Sequence, residues 1–93
     1  MPEMHFHVRW PDGREESCYS PSTIITEHFT PATDYLLADF VARARAALDA
    51  GSERVRLRFG MGCAQAMNQS AAIAQTAADF PPDATVTVLR IEP

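Results

Sequence analysis

"MHFHVRWPDGREESCYS", residues 4–20, has the period and the punctuation of a β-hairpin. Met4, Phe6, Val8 and Trp10 alternate with His5, His7 and Arg9, which is the pattern of a half-buried strand. Pro11-Asp12-Gly13 then supplies a turn, because proline presets φ, aspartate favours the bend and glycine takes the positive φ of a bulge. Pairing Trp10 with Arg14 across that loop sets Val8 opposite Glu16 and Phe6 opposite Cys18. Cys18 is then buried, Tyr19 is exposed beside His5, and Glu16 reaches water from the edge of an apolar face.

Downstream, Ser20-Pro21 reads as a cap with proline in the first turn of a short helix, Ser22 to Phe29, although Thr23, Ile24 and Ile25 are β-branched. A second helix is expected over Asp34 to Ala50. Leu37, Phe40, Val41, Ala44, Ala47 and Leu48 share one face, Thr33 stands at the N-cap and Gly51 at the stop. Glu53 to Phe59 fits two patterns: Arg54, Arg56 and Arg58 alternate with Val55, Leu57 and Phe59 as in a strand, while Val55 and Phe59 are also spaced as on a helix. A third helix is expected over Cys63 to Phe80, apolar along Cys63, Met67, Ala71, Ala74 and Ala78. Pro81-Pro82 ends it, and ATVTVLRI reads as a closing strand. The expected architecture is one α+β domain over residues 1–93, with the hairpin and the carboxy-terminal strand in a mainly antiparallel sheet covered by the two main helices.

The 46% hydrophobic and 22% charged fractions are those of a soluble globular chain, and no run is long enough to span a bilayer. MPEMHFHVRWPDG has neither the basic start nor the apolar centre of a signal peptide, so the expected location is cytoplasmic. All 8 basic residues are arginine and the net charge is −4, a balance unsuited to nucleic acid. Cys18 and Cys63 are expected as free thiols, and without a CxxC pair no structural zinc or other cofactor is expected. His5 and His7 share a strand face whose spacing can hold a metal, and His28 with a cysteine could complete such a site, but surface histidines are the commoner case.

Two readings of "RFGMGCAQAM", residues 58–67, stay open. Cys63 at the start of a helix could be an activated thiol, with Gly60 and Gly62 admitting an anionic group close to the backbone. The commoner case is that it begins the core stripe of that helix, since free cysteine is among the most buried residue types. The arginines at 54, 56 and 58 would form a cationic row on a strand, suited to an acidic partner or a carboxylate or phosphate ligand, but a solvated face paired with Glu53 and nearby acids is the commoner case. No Ser/His/Asp or Cys/His arrangement can be assigned from spacing.

Taken together, "HVRWPDGREESCYSPSTII", "DYLLADFVARARAAL" and "SERVRLRFGMGCAQAM" resemble a family of small bacterial nitrogen starvation response proteins known from mycobacteria. The resemblance covers nearly the whole chain, most specifically the RWPDG turn followed by CYSPS and the FGxGC segment. It implies a setting in a gene cluster with a nitrilase-type hydrolase, linked to using nitriles or cyanide as nitrogen, and it implies no catalytic residues. The expectation is an accessory or ligand-binding protein rather than an enzyme, with Trp10, Tyr19, Gly60, Gly62 and Cys63 as the contact region. A small anionic ligand or an enzyme of the cluster is the expected partner, and a free sheet edge leaves homodimerisation open. The competing readings are a thiol-dependent enzyme or carrier using Cys63, and a structural subunit of a cluster enzyme.

Overall fold

The computed structural model describes residues 3–93. Four antiparallel strands, β1 (Met4–Arg9), β2 (Glu15–Ser20), β3 (Thr33–Leu36) and β4 (Thr85–Glu92), form one sheet in the order β2-β1-β4-β3. Three helices, α1 (Ile25–His28), α2 (Leu37–Phe59) and α3 (Ala64–Ala77), complete this α+β fold. No helix among the described residues is long and apolar enough to cross a membrane.

The hairpin has the register its alternation requires. Phe6 pairs with Cys18 and Val8 with Glu16, and the Trp10 N–H donates to the Arg14 carbonyl at 2.8 Å across a turn in which Gly13 takes φ +90°. On its other side β1 pairs with β4, and a bulge lies between His7 and Val8. The bulge explains why β4 does not alternate to its end. Val86 and Val88 are fully buried, and skipping one residue brings Ile91, opposite Phe6, back to the same face.

The strand β3 was not expected, because Thr33 to Leu36 lies in the segment read as a helix cap and first turn. Tyr35 pairs with Val86, and its ring meets Phe29 edge-on at 5.2 Å, so the strand gains both a ladder and a core contact. The helix begins at Leu37 instead. Its first N–H groups are satisfied by the chain entering β4: Leu37 donates to the Ala84 carbonyl at 2.8 Å and Ala38 to the Pro82 carbonyl at 3.0 Å. Thr33 therefore caps nothing, and its hydroxyl donates to the Pro31 carbonyl.

Gly51 does not stop α2. A Cβ there would lie 3.0 Å from Pro21 Cγ, so this glycine permits close packing of the helix on the segment after β2. Helix continues through Glu53 to Phe59 and stops at Gly60, which takes φ +86° and donates to the Arg56 carbonyl at 2.7 Å. The cationic row is thereby dispersed around a helix. Arg56 pairs with Glu53, whose carboxyl it holds below the usual value, Arg54 turns toward Ser22 and Glu27, and the Arg58 guanidinium lies 5.7 Å from the Phe59 ring centre. At 23 residues, or about 35 Å, α2 outruns strands of about 20 Å. Its end projects, leaving Leu57, Phe59 and the following Met61 exposed.

The first helix is shorter than expected. Ser20 and Ser22, both fully buried, form successive side-chain turns: Ser20 Oγ donates to the Ser22 carbonyl, and Ser22 Oγ accepts from the Ile24 N–H. These bonds delay the helix to Ile25.

The face of α3 also differs from the expected stripe. Ala66, Ile73 and Ala77 are buried, whereas Met67 is 55% exposed and Ala71 and Ala78 face water. Alanines occur on every side of this helix, so its period is weak. Ile73, its largest fully buried side chain, sets the face. The two faces make opposite predictions in urea denaturation. Ile73→Ala is expected to cost ~2–5 kcal/mol, while Met67→Ala costs under about 0.5 kcal/mol; the reverse order would place the other face against the sheet.

Candidate functional site

The hairpin, α2 and the start of α3 meet around a cleft of about 400 Å³, lined by Glu3, Tyr19, Pro21, Val55, Phe59, Cys63 and Gln65. Each wall has a local cause. Tyr19 lies on β2, the edge strand, and its backbone N–H donates to Gln69 Oε1 of α3 at 2.9 Å. That bond occupies an edge donor and docks α3 beside the strand, so Tyr19 is half-buried and not the exposed residue its register implied. Val55 and Phe59 come from the projecting end of α2, one helical turn apart.

Cys63 occupies the N-cap position of α3 and is half-buried against the core. Its backbone N–H donates to Ser52 Oγ at 2.9 Å. The same hydroxyl explains Gly62, since a Cβ at that position would lie 2.9 Å from Ser52 Oγ. Gly60 and Gly62 are accounted for by the end of α2 and this close approach. Neither lines the cleft. Ser52 and Gln69, which hold the loop and the edge, escaped sequence reasoning because their partners lie 11 and 50 residues away.

The Cys63 thiol and the Tyr19 hydroxyl are 3.9 Å apart. Burial, the hydrogen bond to Cys63, and the nearby charges of Cys63 and Glu3 raise the phenol from its ordinary value of 10 up to about 12. Tyr19 is therefore a neutral hydrogen-bonding group at physiological pH. The charged side chain in the cleft lining is Glu3, an acid, so an anion bound here meets like charge.

Trp10 is not brought to this cleft. It is 2% exposed at the turn end of the hairpin, stacked on Phe80 at 6.3 Å and edge-on to Phe40 at 5.6 Å. Its indole N–H donates to Glu16 Oε1, which gives that carboxylate its reason to stand opposite Val8. Cys18 is fully buried and its thiol is pushed far up by desolvation, so it is a core residue. Of the histidines, His5 meets Tyr19 edge-on at 6.3 Å. His7 Nε2 approaches Glu92 Oε1 at 2.8 Å without the alignment of a hydrogen bond, and the His28 carbonyl accepts from Arg43. Among the described residues no three potential metal ligands converge.

The chain matches the family described as nitrogen starvation-induced protein NitG over residues 5–91, from the second residue of β1 to the penultimate residue of β4. No curated protein and no solved structure matches it.

The Tyr19–Cys63 contact has a measurable signature. A raised phenol pKa contributes stability that is fully present below the unfolded value near 10 and is lost as pH rises toward about 12. Ultraviolet titration of the tyrosines is expected to show a component near 12 that Tyr19→Phe removes and Cys63→Ala moves downward. A profile unchanged by Cys63→Ala would dissolve the contact.

Proposed function

We infer a function for a chain that belongs to the NitG family of nitrogen starvation-induced proteins: an accessory protein that holds a small ligand without turning it over. The observation that carries this reading is the cleft. At about 400 Å³ it lies within the usual range of small-molecule sites, and its walls mix the expected apolar surface, from Pro21, Val55 and Phe59, with a few polar groups at Tyr19, Gln65 and Cys63. Three separate elements supply those walls. The fold therefore maintains the cleft without any one loop having to do so.

The state of Tyr19 favours binding over thiol chemistry. A nucleophilic cysteine needs a neighbour that takes its proton or stabilises the thiolate. The hydroxyl beside Cys63 stays protonated well above neutral pH and so takes no proton from the thiol, and the charged group lining the cleft is the acid Glu3, which opposes a thiolate. The setting implied by the family resemblance, a cluster for using nitriles or cyanide as nitrogen, makes a nitrogen-assimilation role the natural one. An enzyme of that cluster would then receive or supply the ligand.

Native mass spectrometry of the protein purified from nitrogen-starved cells tests the proposal. The native mass is expected to exceed the denatured mass by that of a small organic compound, and Tyr19→Phe combined with Cys63→Ala is expected to lose most of this difference. Equal masses under both conditions would count against a tightly held ligand.

A further inference from the structure

We propose that the cleft takes a small organic cation, an alkylammonium or amidinium, whose charge is held by Glu3 and whose apolar part lies against Tyr19 and Phe59. The proposal rests on the ligand-holding reading above and specifies its chemistry.

Charge comes first. Glu3 is exposed and lines the cleft, close enough to the Tyr19 phenol for its carboxylate to oppose ionisation of the ring hydroxyl. The arginines that adjoin Val55 and Phe59 in sequence have partners of their own: Arg54 reaches Ser22 Oγ at 3.3 Å and Glu27 at 3.9 Å, Arg56 pairs with Glu53, and Arg58 lies beside the ring of Phe59. None of these arginines lines the cleft. A cation entering it meets an acid, and an anion meets repulsion.

The remaining walls suit the same ligand. Tyr19 and Phe59 bring aromatic rings to the lining, and such rings attract organic cations through their quadrupole, as the Arg58 guanidinium beside Phe59 illustrates. The Gln65 amide and the neutral Tyr19 hydroxyl can accept N–H donors, which an ammonium or amidinium has in excess. Phe59 is 67% exposed on the projecting end of α2, a costly position for a large apolar ring, which the Arg58 guanidinium flanks in part. An apolar chain lying along Phe59 and Val55 would remove that surface from water.

Amide chemical shifts of the full chain, followed while n-butylammonium, butyramide and butyrate are added separately, test the assignment. n-Butylammonium is expected to shift the Tyr19, Cys63 and Gln65 amides along a saturable curve, with butyrate leaving them in place. Glu3→Gln, at an exposed position, is expected to keep the fold and to weaken n-butylammonium about threefold. Saturation by butyrate or butyramide in preference, or indifference of n-butylammonium to Glu3→Gln, would overturn the cationic class while leaving a ligand-holding cleft. If none of the three compounds moves the cleft amides, the cationic class is overturned, and the separate mass measurement on the purified protein decides the ligand-holding reading.

Discussion

Burying one face of β1 is the constraint on which the other layers depend. Phe6 and Val8 are fully covered, and β1 is an inner strand that pairs with β2 on one side and β4 on the other. Moving its register by one residue would exchange Phe6 and Val8 for His5 and His7 against the core. The hairpin turn prevents that slip on one side. On the other, the bulge opposite His7 and Val8 lets β4 keep Val86, Val88 and Ile91 on the same face.

Once that face exists, the helices are fitted to it through close approaches and borrowed hydrogen bonds. The entry to α2 uses carbonyls of residues 82 and 84, so the strand-to-helix switch after Leu36 is tied to the start of β4. The middle of α2 approaches Pro21 through Gly51, and Ser52 ties down the loop leading into α3. A glycine in a helix interior costs roughly 1 kcal/mol against alanine, and here the contact with Pro21 leaves little room for a side chain. The cleft beside Tyr19 lies where these adjustments meet.

The candidate site was only partly legible. Tyr19 and Cys63 could each be selected in advance, one from the hairpin register and the other from its place before a helix, and the structure brings them into contact. Gly60 and Gly62, whose place before a helix suggests a ligand's approach, serve a helix end and a tight packing contact. Trp10 belongs to the expected contact region, although the alternation of β1 also sets it on the apolar face. Its ring instead fills the core between Phe40 and Phe80. Glu3, Gln65 and Phe59 carried no local pattern that marked them as neighbours of Tyr19.

The amino-acid sequence by itself determined the hairpin, its register, the buried face of α2 as far as Leu48 and the α+β class, because these follow from local periodicity and turn chemistry. Its motifs also carried the resemblance to the nitrogen starvation family, which the match over residues 5–91 establishes. Tertiary structure alone decided that Thr33 to Leu36 is a strand, that Gly51 lies within a helix and that α3 turns Ile73 inward. In each case local preference was weak or divided, and a partner distant in sequence tipped the balance: Val86 for Tyr35, Pro21 for Gly51, and the surrounding core for Ile73. The cleft belongs to this second class, since its residues come from separate elements and only their packing makes them neighbours.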